Sequence, residues 1–320
     1  MNKQQFNEDR DVKGFISWAV YNLNSIEINL RVSRSGTGMA DGRKGPGVSG
    51  RFVGVNAVVH AYQWRSELVD RDGKKLVTQD WTSTRKALEG LGVWLREEVD
   101  NGNQDGALEA CRQIVKWGGD RNSNVGAIPF LENKEDLPIY LKKTRDLFHL
   151  ECADTNILEY VGKMNAMLTK VHALNSRDGL PIYDSRVAAA ISSLIEVYRV
   201  HQEMSWKEMP KSLDFKATER RSKRENGKYI RKYDREVQGM RDVYQPVVGG
   251  GLMPVDEIAK AKTWSSCKIR LGWLLEAIIC EADQQNRSLF DEEVTDGSMR
   301  SKMHAFEAAL FMMGFDVGCF

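Results

Sequence analysis

Two ionisable residues, Lys163 and Asp184, have side chains and a spacing that suggest chemistry. Lys163 follows Val161-Gly162, and Asp184 lies 21 positions later in the segment LPIYDSRVAAAI. A lysine amine becomes a nucleophile when burial or a second cation lowers its pKa, and a carboxylate stabilises a nearby positive charge or takes up a proton. If each residue opens a helix, the two side chains could converge on one cleft.

Asp184 also has a purely structural interpretation. Aspartate is a favoured helix N-cap, because its carboxylate accepts hydrogen bonds from the free N–H groups of the first turn. Pro181, three positions earlier, favours an extended approach to the helix. The segment therefore predicts a loop, a cap at Asp184 and a buried helix, and the local pattern leaves open whether the cap also has a chemical role.

The elements that would position these residues are mostly helices. Apolar spacing predicts helices over residues 1–33, 83–100, 107–117, 134–151, 155–175, 185–206, 264–285 and 299–317. Asp72-Gly73 is typical of a hairpin turn and predicts one small β-hairpin near the N-terminus. The expected fold class is therefore mainly α with a minor β element.

The chain of 320 residues is long enough for two lobes or one large domain. We expect an N-terminal helical region, 1–150, with a glycine-rich loop at 34–50, and a C-terminal region, 151–320, with a basic insertion at 206–250. The loop holds six glycines but no G-x-x-x-x-G-K-[ST] pattern. A flexible linker and a phosphate cradle both remain possible for it.

Charge and cysteine usage exclude several classes of protein. The net charge is +1, so any basic surface must be local. The five cysteines form no C-x-x-C pair, so we expect neither a metal site nor a cofactor. No apolar run reaches the ~18 residues of a membrane span, and the first 15 residues lack the apolar core of a signal peptide. We expect a cytoplasmic protein with no membrane partner.

A basic segment, residues 216–235, holds nine Lys/Arg against three Asp/Glu. It is either a solvated insertion or an arm that contacts phosphates. A second polar loop follows Trp117. The candidate nucleic-acid contacts in the two segments are Arg121, Asn122, Arg220, Arg221, Lys223 and Arg224.

Two short segments, VGKM at 161–164 and PIYDSRV at 181–187, resemble in order and spacing the catalytic segments of the helix-hairpin-helix superfamily of DNA glycosylases. The archaeal 8-oxoguanine glycosylase branch and related prokaryotic proteins are the nearest. The resemblance covers about residues 155–200. LEYVG keeps only one of the hairpin glycines, Gly162, and the four-cysteine cluster of some members is absent.

The resemblance implies a two-lobed helical fold and a monomer that acts on double-stranded DNA containing a modified base. It assigns Asp184 the electrostatic and base role and Lys163 the role of nucleophile, with Gly162 and Arg186 as DNA contacts. Cleaving an N-glycosidic bond builds positive charge on the sugar, which a carboxylate stabilises.

The substrate class remains open at this stage. One possibility is a hypermodified base of phage DNA, such as glucosylated hydroxymethylcytosine, excised in antiviral defence; the long insertion favours it. The alternatives are an 8-oxoguanine repair glycosylase with AP lyase activity and a non-catalytic DNA-binding module that keeps a glycosylase-like core.

Lys170, 14 positions before Asp184, is a competing amine. We prefer Lys163, because Lys170 leaves fewer than two helical turns before the polar turn NSRDG. His172 is interpreted as a core or surface residue in preference to a DNA contact. A flipped base usually stacks on an aromatic ring, and the candidates are Trp117, Trp264, Trp273 and Phe311.

Overall fold

A computed structural model describes residues 1–34, 45–119, 126–216 and 253–320, and the backbone of 224–225 and 228–229. Among the described residues, 56% are helical and 8% are in strands, which confirms the predicted mainly α class. The described helices are α1 (Lys3–Glu8), α2 (Arg10–Asn22), α3 (Gly54–His60), α4 (Trp81–Asp100), α5 (Gln104–Trp117), α6 (Ala127–Glu132), α7 (Leu137–Leu147), α8 (Leu168–Asn175), α9 (Ser185–His201), α10 (Glu257–Gln284) and α11 (Met299–Met313).

The predicted hairpin near the N-terminus is confirmed. Strands β3 (Ser66–Val69) and β4 (Lys75–Thr78) pair antiparallel. Gly73 in the turn has a φ of 79°, which glycine adopts without steric cost. A further short pair, β5 (Arg224–Glu225) and β6 (Lys228–Tyr229), is also antiparallel.

One prediction for the N-terminal region is wrong. The helix expected over 1–33 ends as α2 at Asn22, and residues Glu27–Val32 form strand β1, which pairs with β2 (Val48–Val53). Strand β1 alternates between exposed and buried residues, and its buried side chains reach the core. This period of two is the burial pattern of a strand with one buried face.

Helix α10 lies at the centre of the described core and packs against α1, α2 and α11. The Trp273 ring on α10 contacts Phe6 with 5.5 Å between centroids. The adjacent Gly272 has no room for a side chain, because a Cβ atom there would lie 2.5 Å from Leu150 and 3.2 Å from Pro181. The close approach at Gly272 brings the loop that precedes Asp184 directly against the central helix.

The single helix predicted over 155–175 is also wrong. Its first part is a short 3₁₀ turn, Glu159–Val161, and Gly162 then adopts a φ of 68°, which right-handed helices do not accommodate. The Asn165 side chain accepts hydrogen bonds from the N–H groups of Met167 and Leu168, so α8 begins only at Leu168. Lys163 therefore precedes the helix instead of opening it.

Helix α9 begins as predicted. The Asp184 side chain accepts hydrogen bonds from the N–H groups of Arg186 and Val187, and the helix runs from Ser185 to His201. The N-cap interpretation of Asp184 is confirmed, and the structure leaves its second carboxylate oxygen available for another partner.

The described helices do not include one that is long and apolar enough to cross a membrane. Within the same residues, no group of three or more His, Cys, Asp or Glu side chains is arranged to hold a metal ion.

His172 belongs to the core, and this predicts how the protein responds to acid. Its ring lies 5.1 Å from Phe148 and 6.1 Å from Tyr140 between centroids, and neither ring nitrogen has a hydrogen-bond partner among the described residues. Burial, with a contribution from the Lys268 charge, lowers the pKa of His172 to about 3. The unfolded chain takes up this proton near pH 6.5, so the folded state loses stability as the pH falls from 6.5 toward 3.

We expect His172→Phe to remove this acid sensitivity. Phenylalanine fills the aromatic environment and has no group to protonate, so the variant should lose roughly 2–3 kcal/mol less than wild type between pH 7 and pH 4. Urea denaturation at both pH values measures the difference. An equal loss in variant and wild type would mean that His172 titrates normally in the folded protein.

Candidate functional site

Asp184 forms a buried ion pair with Lys170 while it caps α9. One carboxylate oxygen, Oδ1, accepts from the backbone N–H groups of Arg186 at 3.0 Å and Val187 at 3.2 Å. The other, Oδ2, lies 3.2 Å from Lys170 Nζ. Asp184 is 4% exposed and Lys170 is 5% exposed, so both charges are removed from water. A buried pair of this kind is costly to form and strongly destabilising to break on one side.

Lys170 reaches Asp184 because it lies in the first turn of α8. Its ammonium also donates to the Ala166 carbonyl at 3.0 Å. The aliphatic stem passes over Gly118, where a Cβ atom would lie 2.8 Å from both Lys170 Cδ and Met167 Sδ. The glycine that ends α5 thus makes room for the lysine side chain.

The residues before Asp184 are held by side chains from other elements. The Tyr183 N–H donates to Thr169 Oγ1 at 3.0 Å, and the Tyr183 carbonyl accepts from the Trp264 indole at 2.6 Å. The Ile182 N–H donates to Glu307 Oε2 at 3.1 Å. This irregular segment has no helical or strand hydrogen bonds of its own, so these contacts fix the position from which Asp184 projects.

Lys268 joins the two segments that carry the ion pair. Its fully buried ammonium donates to the Pro181 carbonyl at 2.5 Å, and to the carbonyl and hydroxyl oxygens of Thr169 at 3.0 and 3.3 Å. Burial lowers the pKa of Lys268 to about 7, with Glu307 opposing and Lys170 adding to the shift. One side chain of α10 therefore fixes Thr169, next to Lys170, and Pro181, just before Asp184.

Lys170 and Asp184 line a narrow cavity with aromatic walls. Its aromatic side chains are Tyr62, Trp64, Trp81, Trp117 and Phe311. The cavity volume is about 30 Å³, which is room for about two water molecules. The indole N–H of Trp117 is buried there and has no hydrogen-bond partner among the described residues.

Arg186, two residues after Asp184, covers one side of this cavity. Its guanidinium carbon lies 4.0 Å from the centroid of Phe315, 4.8 Å from Phe311 and 5.6 Å from Trp64. Stacking of this kind holds an arginine against aromatic faces by cation–π attraction. The predicted DNA contact Arg186 is thus placed next to Asp184.

The two carboxyl groups of the cavity have opposite protonation preferences. Burial opposes ionisation of Asp184, but the charges of Lys170 and Arg186 and the hydrogen bond from the Val187 N–H hold its pKa below the ordinary value. Burial raises the pKa of Glu307 to about 8, and the neighbouring charge of Asp184 adds to the rise. At neutral pH, Asp184 is ionised and Glu307 is mainly protonated.

A larger cavity adjoins the first. Trp81, Leu88 and His304 line both, and the second cavity has a volume of about 230 Å³. Its other lining residues are mostly of polar type, and they include the charged side chains Arg85, Glu89, Asp296 and Arg300. The two cavities together offer an aromatic face and several hydrogen-bonding groups.

The structure does not bring Lys163, the preferred amine, to Asp184. Lys163 is half-buried, its ammonium lies 5.8 Å from the centroid of the Phe130 ring, and it does not line the cavity. The physical reason is Gly162, whose left-handed conformation ends the 3₁₀ turn and delays α8 by five residues. The amine that meets Asp184 is Lys170.

Most of the other predicted DNA contacts have no described side chain. Gly162 is exposed at the 3₁₀ turn, where its φ is 68°. The backbone of Arg224 lies in β5. The remaining candidates lie outside the described residues: Arg121, Asn122, Arg220, Arg221 and Lys223.

Sequence reasoning missed two buried charged residues, Lys268 and Glu307. Both interrupt helices that are otherwise apolar on most sides, in CKIRLGW and AFEAALF. A charge at a core position of a helix indicates a buried partner or a functional site, and that signal was present in both segments.

No protein-family model, no curated protein and no solved structure matches this chain.

The buried pair predicts a strong thermodynamic coupling. Asp184→Asn keeps a side chain that can cap α9, but it removes the carboxylate that pairs with Lys170. Lys170→Met in turn removes the ammonium that pairs with Asp184. Each should cost about 3 kcal/mol of unfolding free energy, while the double variant should cost clearly less than the sum. Denaturant unfolding of the four proteins gives the coupling energy.

The exposed pair Lys262–Glu159, with side chains 42% and 60% exposed, provides the control. Its coupling, from Lys262→Met and Glu159→Gln, should be only a small fraction of the coupling between Lys170 and Asp184. Additive effects at Lys170 and Asp184 would show that the two charges do not interact in the folded protein.

Proposed function

We propose that this protein is a DNA glycosylase that flips a modified base out of the duplex and cleaves its N-glycosidic bond. The observation that carries the proposal is the buried Lys170–Asp184 pair, placed at a helix N-terminus and opening on an aromatic cavity. An amine beside a carboxylate suits the cleavage of an N-glycosidic bond. The C1′ carbon of the sugar becomes electron-poor as the base departs, the carboxylate stabilises this charge, and the amine nitrogen attacks the carbon.

Each member of the pair has a distinct role in this reaction. Asp184 stabilises the positive charge that develops on the deoxyribose as the base departs, and accepts the proton that Lys170 must lose. The free Lys170 amine forms a bond to C1′, while the electron pair of the C1′–N bond leaves with the base. The product at C1′ is an N,O-acetal; its nitrogen loses a proton, the C1′–O4′ bond breaks and O4′ takes up a proton, which gives an imine to Lys170. This imine allows the strand to be cleaved in a later step. Lys170 thus takes the role expected of Lys163.

The aromatic walls of the cavity suit a flipped base. Bases extruded from DNA stack between aromatic or apolar side chains, and Trp64, Trp117 and Phe311 provide such surfaces beside Asp184. With about 30 Å³ of free volume, the cavity must widen as the base enters. The wall that would move includes Arg186, which covers one side of the cavity and stacks on Phe311 and Phe315.

The adjoining cavity favours a hypermodified cytosine over oxidised guanine. 8-Oxoguanine differs from guanine by a single oxygen, and it needs no second cavity. The mixed charged and aromatic lining, with Trp81, Arg85 and Asp296, suits a hydroxylated substituent such as the glucose of glucosylated hydroxymethylcytosine. Such a substrate is characteristic of phage DNA, so the corresponding role is antiviral defence in the cytoplasm, by a monomer acting on double-stranded DNA.

We expect Lys170→Gln to abolish covalent trapping by borohydride, because the reduced imine is formed by the Lys170 amine. The matched control is Lys163→Gln, which removes an amine outside the cavity and should trap as wild type does. The substrates are duplexes that contain glucosylated hydroxymethylcytosine, 8-oxoguanine or unmodified cytosine, with mass analysis of the released base.

The Asp184→Asn variant should still bind these duplexes but release the base at least about a hundredfold more slowly than wild type.

Three outcomes separate the alternatives. If borohydride still traps the Lys170→Gln variant on DNA but no longer traps Lys163→Gln, the assignment of Lys170 as the attacking amine would be overturned. Base release without trapping would mean that water is the nucleophile and that the enzyme is monofunctional. Salt-dependent binding with no release from any duplex would favour the non-catalytic DNA-binding module.

A further inference from the structure

Glu307 is a buried acid in the same cavity as Lys170 and Asp184. It lies on α11 and is 8% exposed. Its Oε2 accepts the Ile182 N–H at 3.1 Å, which fixes the carboxyl group two residues before Asp184. Within the described part of the chain, its second oxygen, Oε1, has no hydrogen-bond partner and the carboxyl forms no ion pair. One face of the carboxyl is anchored, and the other is available to a ligand in the cavity.

We propose that Glu307 is the general acid that protonates the departing base. The inference rests on the proposed glycosylase function and adds a residue to its mechanism. As the C1′–N bond breaks, its electron pair moves onto the base, and the proton on Glu307 passes to a ring nitrogen or exocyclic oxygen of that base. Lys170 forms the new bond to C1′, and water reprotonates the Glu307 carboxylate before the next turnover.

Burial has more influence than the surrounding charges on the protonation of Glu307. Asp184 at the start of α9 disfavours a second negative charge, whereas Lys268 on α10 and Lys170 on α8 oppose this effect. The buried Tyr62 hydroxyl, whose pKa is raised by burial and by the Glu307 charge, stays neutral and contributes no charge. Burial is the largest influence, and it favours the uncharged acid.

Two carboxyl groups with separated protonation states are a recurrent arrangement in the cleavage of glycosidic bonds. The ionised one stabilises the charge on the sugar, and the protonated one supplies the proton to the leaving group. Here Asp184 is held ionised by Lys170 and Arg186, and Glu307 is held protonated by burial. The division of roles follows from the different neighbours of the two side chains.

The test is Glu307→Gln, measured by single-turnover base release between pH 6 and pH 9. Glutamine can still accept the Ile182 N–H through its amide oxygen, so the segment before Asp184 should keep its position. It cannot transfer a proton, so release at pH 7 should fall by about a hundredfold or more. The wild-type rate should decline above about pH 8 as Glu307 ionises, and this decline should be absent from the variant.

Two controls separate proton transfer from a structural role. Glu196→Gln changes another buried glutamate, paired with Arg199 on α9 and outside the cavity, and should release base at the wild-type rate. Borohydride trapping on a preformed abasic site needs no base departure, so Glu307→Gln should trap such DNA as efficiently as wild type.

The possible results distinguish this inference from the function on which it rests. A wild type that releases no base from any duplex would overturn the glycosylase proposal and the acid role with it. Base release with the same rate and pH profile in wild type and Glu307→Gln would overturn the acid role alone. Loss of abasic-site trapping in Glu307→Gln would also overturn it, because the residue would then be needed to position Lys170.

Discussion

The candidate site depends on how the protein holds residues 181–184, a buried segment without regular secondary structure. Buried backbone N–H and C=O groups must be hydrogen-bonded, and here the partners are side chains from distant parts of the chain. Lys268 binds the Pro181 carbonyl and Glu307 binds the Ile182 N–H, while Thr169 and Trp264 bind Tyr183. Helices α8, α10 and α11 all converge on this segment, and Asp184 takes its position from their packing.

The same arrangement collects four ionisable groups in the interior. Lys170, Asp184, Lys268 and Glu307 are each at least nine-tenths buried. Burying charges costs free energy, and replacing a buried ion pair by apolar residues is often neutral or stabilising. A core built for stability alone would therefore have no need of these groups. We expect function where ionisable side chains are buried in a core and hydrogen-bonded there, because apolar residues would serve stability equally well.

Local patterns predicted the helical class, the hairpin turn at Gly73 and the Asp184 cap, because each depends on neighbours within a few residues. The local pattern predicts the wrong partner for Asp184. The left-handed backbone at Gly162 delays the start of α8, so Lys170 contacts Asp184 and Lys163 does not. Lys268 and Glu307 lie 84 and 123 positions beyond Asp184, and their meeting is a consequence of tertiary packing. No local spacing contains that information, although a charge in an apolar helix marks each residue as unusual.

We propose above all that the Lys170 amine, held by Asp184, attacks the sugar. The most direct measurement is to reduce the enzyme–DNA complex with borohydride, digest it and identify by mass spectrometry the residue that carries the deoxyribose remnant. The account predicts that the remnant is on Lys170, in the peptide that also contains Val171 and His172. A remnant on Lys163 or on another residue would contradict the geometry proposed for the site.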